Sequence, residues 1–143
     1  MAAHNELGKT GEEVAKQFLI DKGYKILETN WKSGKYEIDI IAQKYDFLSI
    51  IEVKTRSTDY FGFPEKFLTP KQMQRLIYAA HNYTEQKNLD IGIRYECLAL
   101  TKQNDGGFHV EHLEEAFDSY TVFELQKNYA GSTYKMSVRN RKW

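Results

Sequence analysis

Three acids and a lysine interrupt a stretch that otherwise has the composition of two strands. In "YEIDIIAQKYDFLSIIEVKTR" (36–56), Glu37, Asp39, Glu52 and Lys54 sit among isoleucines. Side chains alternate along a strand, so Glu37, Asp39 and Ile41 share one face, as do Ile50, Glu52, Lys54 and Arg56. A two-residue loop at Lys44-Tyr45 predicts that 43 pairs with 46, 39 with 50 and 37 with 52. Asp39 and Glu52 are then diagonal neighbours, about 7–8 Å apart at Cβ, whose carboxylates can lean together.

That pair is costly alone. At ~6 Å and an effective dielectric of about 20, two carboxylates repel by roughly 3 kcal/mol. Partial desolvation adds to the penalty. A divalent cation reverses the sign, and hard oxygen ligands suit Mg²⁺ or Mn²⁺. With Lys54 on the same face, the set is equipped for phosphodiester hydrolysis. The metal lowers the pKa of a bound water and polarises the phosphate, and the ammonium steadies the developing charge. The plain alternative is a structural ion pair on a half-exposed hairpin, worth little.

The elements that must position these groups follow from periodicity and turn residues. A first helix is predicted over Glu6–Lys22, stopped by Gly23, with Leu7, Gly11, Val14, Ala15, Phe18 and Leu19 as its apolar stripe. Glu12 lies on the edge of that stripe and turns inward. Glu13 faces solvent, or closes a capping box with Thr10 if the helix starts there. "YKILETNW" (24–31) is a strand and "KSGK" a turn, followed by hairpin strands over 36–43 and 47–56. After the loop "STDYFGFPEKFL", Thr69-Pro70 supplies an N-cap and a proline at the first helical position. The helix it opens carries Met73, Leu76, Ile77, Ala80 and Tyr83 on one side and ends near Asn88. Residues 91–100 and 108–113 are further strands, with Asp105-Gly106-Gly107 between them. The order implies an α/β (α+β) domain with a mixed central sheet flanked by helices.

The chain of 143 residues fits one domain able to bury a core without staples. No stretch approaches the ~20 apolar residues of a membrane span. The N-terminus "MAAHNELGKTGEE" lacks a hydrophobic signal segment, so a cytoplasmic address is expected. The single cysteine, Cys97, excludes an internal disulfide and a cysteine-rich zinc site. A net charge of zero hides an asymmetry: residues 1–126, the expected domain, carry −5, and 127–143, a basic C-terminal extension, carry +5. Such a balance argues against a protein that coats nucleic acid indiscriminately, yet allows a local basic surface.

The block D-x(12)-E-x-K with an upstream helical glutamate resembles the core of the PD-(D/E)xK nuclease superfamily, which has the restriction-endonuclease-like fold. More closely, Gly11-Glu12, Glu37-Ile38-Asp39 and Glu52-Val53-Lys54-x-Arg56, in that order and spacing, are similar to the YraN-type family of small bacterial proteins. The resemblance runs over residues 7–118 and extends by analogy to archaeal Holliday-junction resolvases. It implies a nuclease-like domain in which Asp39 and Glu52 bind Mg²⁺ or Mn²⁺, Lys54 is the catalytic lysine and Glu12 the supporting acid. The substrate it implies is DNA, branched or irregular DNA included. The chain departs from the pattern at Ile38, where the superfamily name has proline. It departs again at Tyr36, where the family has glycine, and at Glu96, where aspartate is common.

Other residues are weaker candidates. Glu37 shares the acidic face, either supporting the ligands or partnering Arg56. Arg56 and Lys71 could grip phosphates, and Gln74 with Tyr78 echoes a short Q-x-x-x-Y element of some nucleases in this superfamily. His109 and His112 point to opposite faces of a strand, which disfavours a zinc site. The tail, with Tyr129, Tyr134 and Trp143 among its cations, is a solvated terminus or a partner-docking arm, with stacking on single strands as the alternative. The expected function is a metal-dependent endodeoxyribonuclease, with a homodimer natural for cutting two strands. The alternative is a catalytically silent nucleic-acid-binding or adaptor protein on the same scaffold.

Overall fold

A computed structural model describes residues 2–57, 68–120 and 122, with side chains from Thr10 onward. The C-terminal extension and most of the loop before Thr69 lie outside the described residues. The elements are α1 (Ala2–Asp21), β1 (Lys25–Ser33), β2 (Tyr36–Lys44), β3 (Phe47–Arg56), α2 (Pro70–Gln86), β4 (Gly92–Lys102) and β5 (Phe108–Phe117). The strands form one sheet in the order β1-β2-β3-β4-β5. Neighbours are antiparallel except β3 and β4, which are parallel and joined through α2. The fold is thus the expected mixed sheet between two helices.

Each helix covers one face. Met73, Leu76, Ala79, Ala80 and Tyr83 of α2 pack on Ile38, Ile41, Leu48, Ile50, Cys97 and Ala99. Ala15 and Leu19 of α1 pack on Ile40, Ala42, Ile51, Leu98 and Leu100. The capping signal before α2 is realised in full. Thr69 Oγ1 accepts from Gln72 N–H at 3.1 Å, and Gln72 Oε1 accepts from Thr69 N–H at 2.9 Å.

Helix α1 begins at Ala2, four residues before the expected start, because the helix formers Ala2, Ala3, Glu6, Leu7 and Lys9 outweigh Gly8. Thr10 is therefore mid-helix and no capping box forms there. Glu13 is solvated as expected and pairs with Lys16 at 3.6 Å. Gly11 marks a close approach: a Cβ there would collide with Thr55 Oγ1 and lie 2.9 Å from its Cγ2.

The β2–β3 register differs from the expected one by two residues. The ladder runs from Lys44↔Phe47 to Ile40↔Ile51, which makes Tyr45-Asp46 the loop, with Tyr45 at φ 55°. The physical reason lies in the core. This register sets Ile41 across from Ile50 and Ile40 across from Ile51, all four fully buried, where the expected one would have put Ser49 opposite Ile40. A slip of two leaves every side chain on its face. Strand β5 also runs on to Phe117, past the expected end, with an irregularity opposite Tyr95/Cys97.

Candidate functional site

The functional candidates gather where β2 and β3 part. Their ladder stops at Ile40↔Ile51, while β3 continues beside β4 to Arg56↔Thr101. At the parting point Asp39 Oδ2 accepts the backbone N–H of Val53 at 2.8 Å. The core alternation also breaks there, since Ile38 belongs to the α2 side and Ile40 to the α1 side. Glu52 and Lys54 pair with Cys97 and Ala99 of β4, which belong to the α2-side core. Lys54 Nζ lies 3.7 Å from Glu52 Oε2, and both side chains are mostly buried, at 15% and 21% exposure.

The electrostatics follow from that crowding. Asp39 is pushed up to about 7, chiefly by burial and next by the Glu52 charge, against the Val53 amide; Glu37 and Glu12 add smaller pushes. Glu52 is also raised, by burial, with Lys54 and a hydrogen bond with Asp39 opposing. Burial and Glu52 push Cys97 up to about 12, so that thiol is a poor nucleophile.

Among the described residues, no group of three or more His, Cys, Asp or Glu side chains stands in position to hold a metal ion. Two carboxylates of the described residues, Asp39 and Glu52, do meet here. Mg²⁺ keeps several waters and commonly takes one or two protein carboxylates plus substrate phosphates, so the pair fits that cation. Two acids pressed together with raised pKa values are what a cation would relieve.

The remaining candidates take four positions. Glu12, half-buried on α1, is near enough to act on Asp39 but weighs least of the three neighbouring acids. Glu37 is exposed, opposite Lys32 of β1, and acts on both carboxylates through its charge. Arg56 is exposed at the end of β3, its guanidinium donating to Thr55 O at 3.1 Å. Lys71 and Gln74 do not join the acids. They line a cleft of about 560 Å³ with Lys35, Tyr36, Arg75 and Tyr78. Sequence reasoning missed Lys35 and Arg75 there, and took Tyr36 only as a departure from pattern.

Residues 11–100, from α1 into β4, match the family described as Uncharacterised protein family UPF0102. The chain belongs to UPF0102. The resemblance of its motif block to YraN-type proteins is thereby borne out. A UPF0102 protein of Flavobacterium psychrophilum is 50% identical over 117 residues, which cover 82% of this chain and 98% of the relative. One from Christiangramia forsetii is 48% identical with the same coverage of each. One from Phocaeicola vulgatus is 44% identical, covering 82% of this chain and 96% of the relative. Glu12, Glu37, Asp39, Glu52 and Lys54 all fall inside the UPF0102 segment.

On the opposite face of the UPF0102 sheet, sequence reasoning missed a buried polar network. Glu96, fully buried, accepts from Tyr24 Oη at 3.0 Å, from Ser49 Oγ, and from His112 Nε2 at 2.6 Å. Lys22 Nζ donates to His112 Nδ1 at 2.8 Å, which leaves the ring proton on Nε2. His109 is exposed on the other side of β5, so the two histidines do diverge. The available signal was Glu96 itself, a lone charge within the apolar run "YECLAL". No helix among the described residues is long and apolar enough to cross a membrane.

Proposed function

We propose that the protein is a metal-dependent endonuclease that hydrolyses DNA phosphodiester bonds, with branched or irregular DNA among its substrates. The observation that carries the reading is the meeting of Asp39, Glu52 and Lys54 at the point where β2 releases β3. Asp39 and Glu52 would hold Mg²⁺ or Mn²⁺, which when bound supplies a polarised phosphate and a water of lowered pKa. Lys54, already oriented by Glu52, places its ammonium where negative charge grows on the phosphoryl oxygens. Val53 N–H fixes the rotamer of Asp39, so one carboxylate is held in place before any ligand arrives. Glu12 and Glu37 add negative potential that favours the cation, and Arg56 takes a phosphate further along the strand. A homodimer would present two such sites to two strands.

The test is a panel of linear, flapped and four-way DNA substrates incubated with Mg²⁺ or Mn²⁺. Parent protein should cut at least one of them. Asp39→Ala and Lys54→Ala should not, while keeping a cooperative melt. Equal cutting by parent and variants would end the assignment.

A second reading is DNA binding without cleavage, on the cations that line the cleft, Lys35, Lys71 and Arg75. It expects binding to the same panel and intact substrate under every metal tried.

A further inference from the structure

The cleft beside the candidate site has a composition that phosphate neutralisation alone does not call for. Lys35 comes from the β1–β2 turn, Tyr36 from the start of β2, and Lys71, Gln74, Arg75 and Tyr78 from the first turns of α2. Among the described residues no acid lines it, although residues 1–126 carry a net charge of −5. Three cations thus face one space on an otherwise acidic domain. Two aromatic rings share that space.

We propose that this cleft holds one unpaired nucleotide of a DNA strand, the base against Tyr78 and Tyr36 and the phosphates against Lys35, Lys71 and Arg75. The inference rests on the nuclease reading for its substrate, and deepens it by naming an unpaired nucleotide as the part recognised.

The ring geometry supports a stacking role. Tyr36 and Tyr78 lie 6.0 Å apart at their centroids and are tilted by 49°, so neither covers the other's face. Tyr78 is 40% exposed. Gln74 Nε2 donates to Tyr78 Oη at 3.1 Å, which steadies the ring and leaves the amide oxygen and the phenolic hydrogen for a base edge. Lys35 Nζ sits 5.6 Å from the Tyr36 centroid, a cation already at the rim. At about 560 Å³ the cleft is in the range that small ligands fill.

A duplex does not suit this cavity. Its bases are covered on both faces, and its phosphates need only a row of cations. A base splayed out of the stack has a free face for an aromatic ring, and this stacking tolerates any base. The cleft also lies on the side of the sheet where Glu52 and Lys54 face. From Tyr36 to Asp39 is three residues of β2, roughly 10 Å at strand rise. A strand anchored in the cleft would therefore bring a neighbouring phosphate toward the carboxylates. A free mononucleotide offers the same base and phosphate, and the test separates the two sources.

Affinities are read by fluorescence anisotropy in EDTA, with a labelled single strand, a blunt duplex of equal length and a single strand with abasic positions. Thymidine 5′-monophosphate serves as competitor. The single strand should bind about tenfold more tightly than the duplex or the abasic strand, and Tyr78→Ala should remove about that factor for the single strand alone. Tyr78→Phe, which keeps the ring, should retain most of it. Lys71→Ala with Arg75→Ala should weaken single strand and duplex together and flatten the salt dependence. Equal affinity for single strand and duplex, untouched by Tyr78→Ala, overturns the proposal. So does competition by the mononucleotide at concentrations matching the oligonucleotide. Metal-free binding keeps this result separate from cleavage. A protein that prefers single strands but never cuts loses only the nuclease reading, and one that cuts without that preference loses only the cleft assignment.

Discussion

The Asp39 carboxylate takes the place of a backbone acceptor: its Oδ2 receives the Val53 amide at 2.8 Å, one step beyond the last β2–β3 pair. That bond makes two substitutions at one position inequivalent. Asn keeps an acceptor oxygen and drops the charge; Ala drops both. In metal-free protein, Asp39→Asn should be more stable than parent at pH 7.5 by on the order of 1–2 kcal/mol, because the repulsion with Glu52 disappears. Asp39→Ala should give back about 1 kcal/mol of that through the unmet Val53 amide. Urea melts at constant slope check both. If Asn destabilises the protein as much as Ala, the charge conflict is not there.

The same carboxyl sets a pH dependence with a definite sign. Asp39 is raised to about 7 in the folded chain, against about 4 for an unperturbed aspartate. Between those values the folded state binds more protons than the unfolded one, so stability falls as pH rises from about 4 to about 7. Glu52, also raised, adds in the same direction. A bound cation cancels the penalty. Mn²⁺ should therefore raise the melting temperature most above pH 7 and little at pH 5, where protons occupy the pair. Calorimetry across that range is the check; a rise independent of pH would place the metal elsewhere.

The hairpin was legible because residues 36–56 hold two runs of strand-forming residues, with charged residues at alternate positions 37/39 and 52/54. Its register was not, because Lys44, Tyr45 and Asp46 include no glycine or asparagine to fix a turn type. The choice is made by pairing Ile40 with Ile51 and Ile41 with Ile50, a tertiary preference. The error was even-numbered, so the acids kept their common face. Helix α2 was legible from Thr69-Pro70, a local signal. The cleft and the Glu96 network were not, since each joins side chains far apart in the chain: Lys35 with Arg75, and Tyr24 with Glu96 and His112. Local pattern locates elements. It does not say which distant polar groups meet.

Lys54 is the charge that most opposes the raised pKa of Glu52. Removing it should act twice. If the proposed nuclease reading holds, Lys54→Met should lower cleavage by roughly 10²–10³, the scale of one lost electrostatic contact to the transition state. It should also move the acidic limb of the pH–rate profile upward, since Glu52 then ionises less readily. Lys54→Arg should restore the position of that limb more fully than the rate, because a planar guanidinium keeps the charge but not the point geometry. Steady-state rates from pH 5.5 to 9 report both quantities. A rate loss with an unmoved limb would mean that Lys54 acts without touching Glu52.

Gly11 sits where α1 passes over β3, and its missing side chain is filled by Thr55. Helix propensity alone favours alanine over glycine by about 1 kcal/mol in a helix interior. The collision with Thr55 should outweigh that gain, so Gly11→Ala should be net destabilising and should push Glu12 away from Asp39. Adding Thr55→Ala removes the colliding atoms. The double variant should then recover most of the loss, a coupling of about 1 kcal/mol or more by double-mutant cycle. Additive effects would show that α1 can shift freely over the strand.

Glu96 is a carboxylate with no exposed surface, satisfied by Tyr24, Ser49 and His112 together. Removing the acceptor leaves three donors facing one another in the dry interior between α1 and the sheet. Glu96→Ala should cost about 3–5 kcal/mol, since three buried donors lose their acceptor at about 1–3 kcal/mol each. Glu96→Gln keeps the shape but turns an amide NH₂ toward at least one donor, so it should cost less, about 1–3 kcal/mol. The decisive comparison is Glu96→Ala made together with Tyr24→Phe and Ser49→Ala. Silencing two of the stranded donors should recover part of the loss, so the triple variant should be more stable than the single one, read as a higher urea midpoint at unchanged slope. If the triple variant is weaker still, the cost lies in lost packing volume, and Glu96 matters as a filler of space.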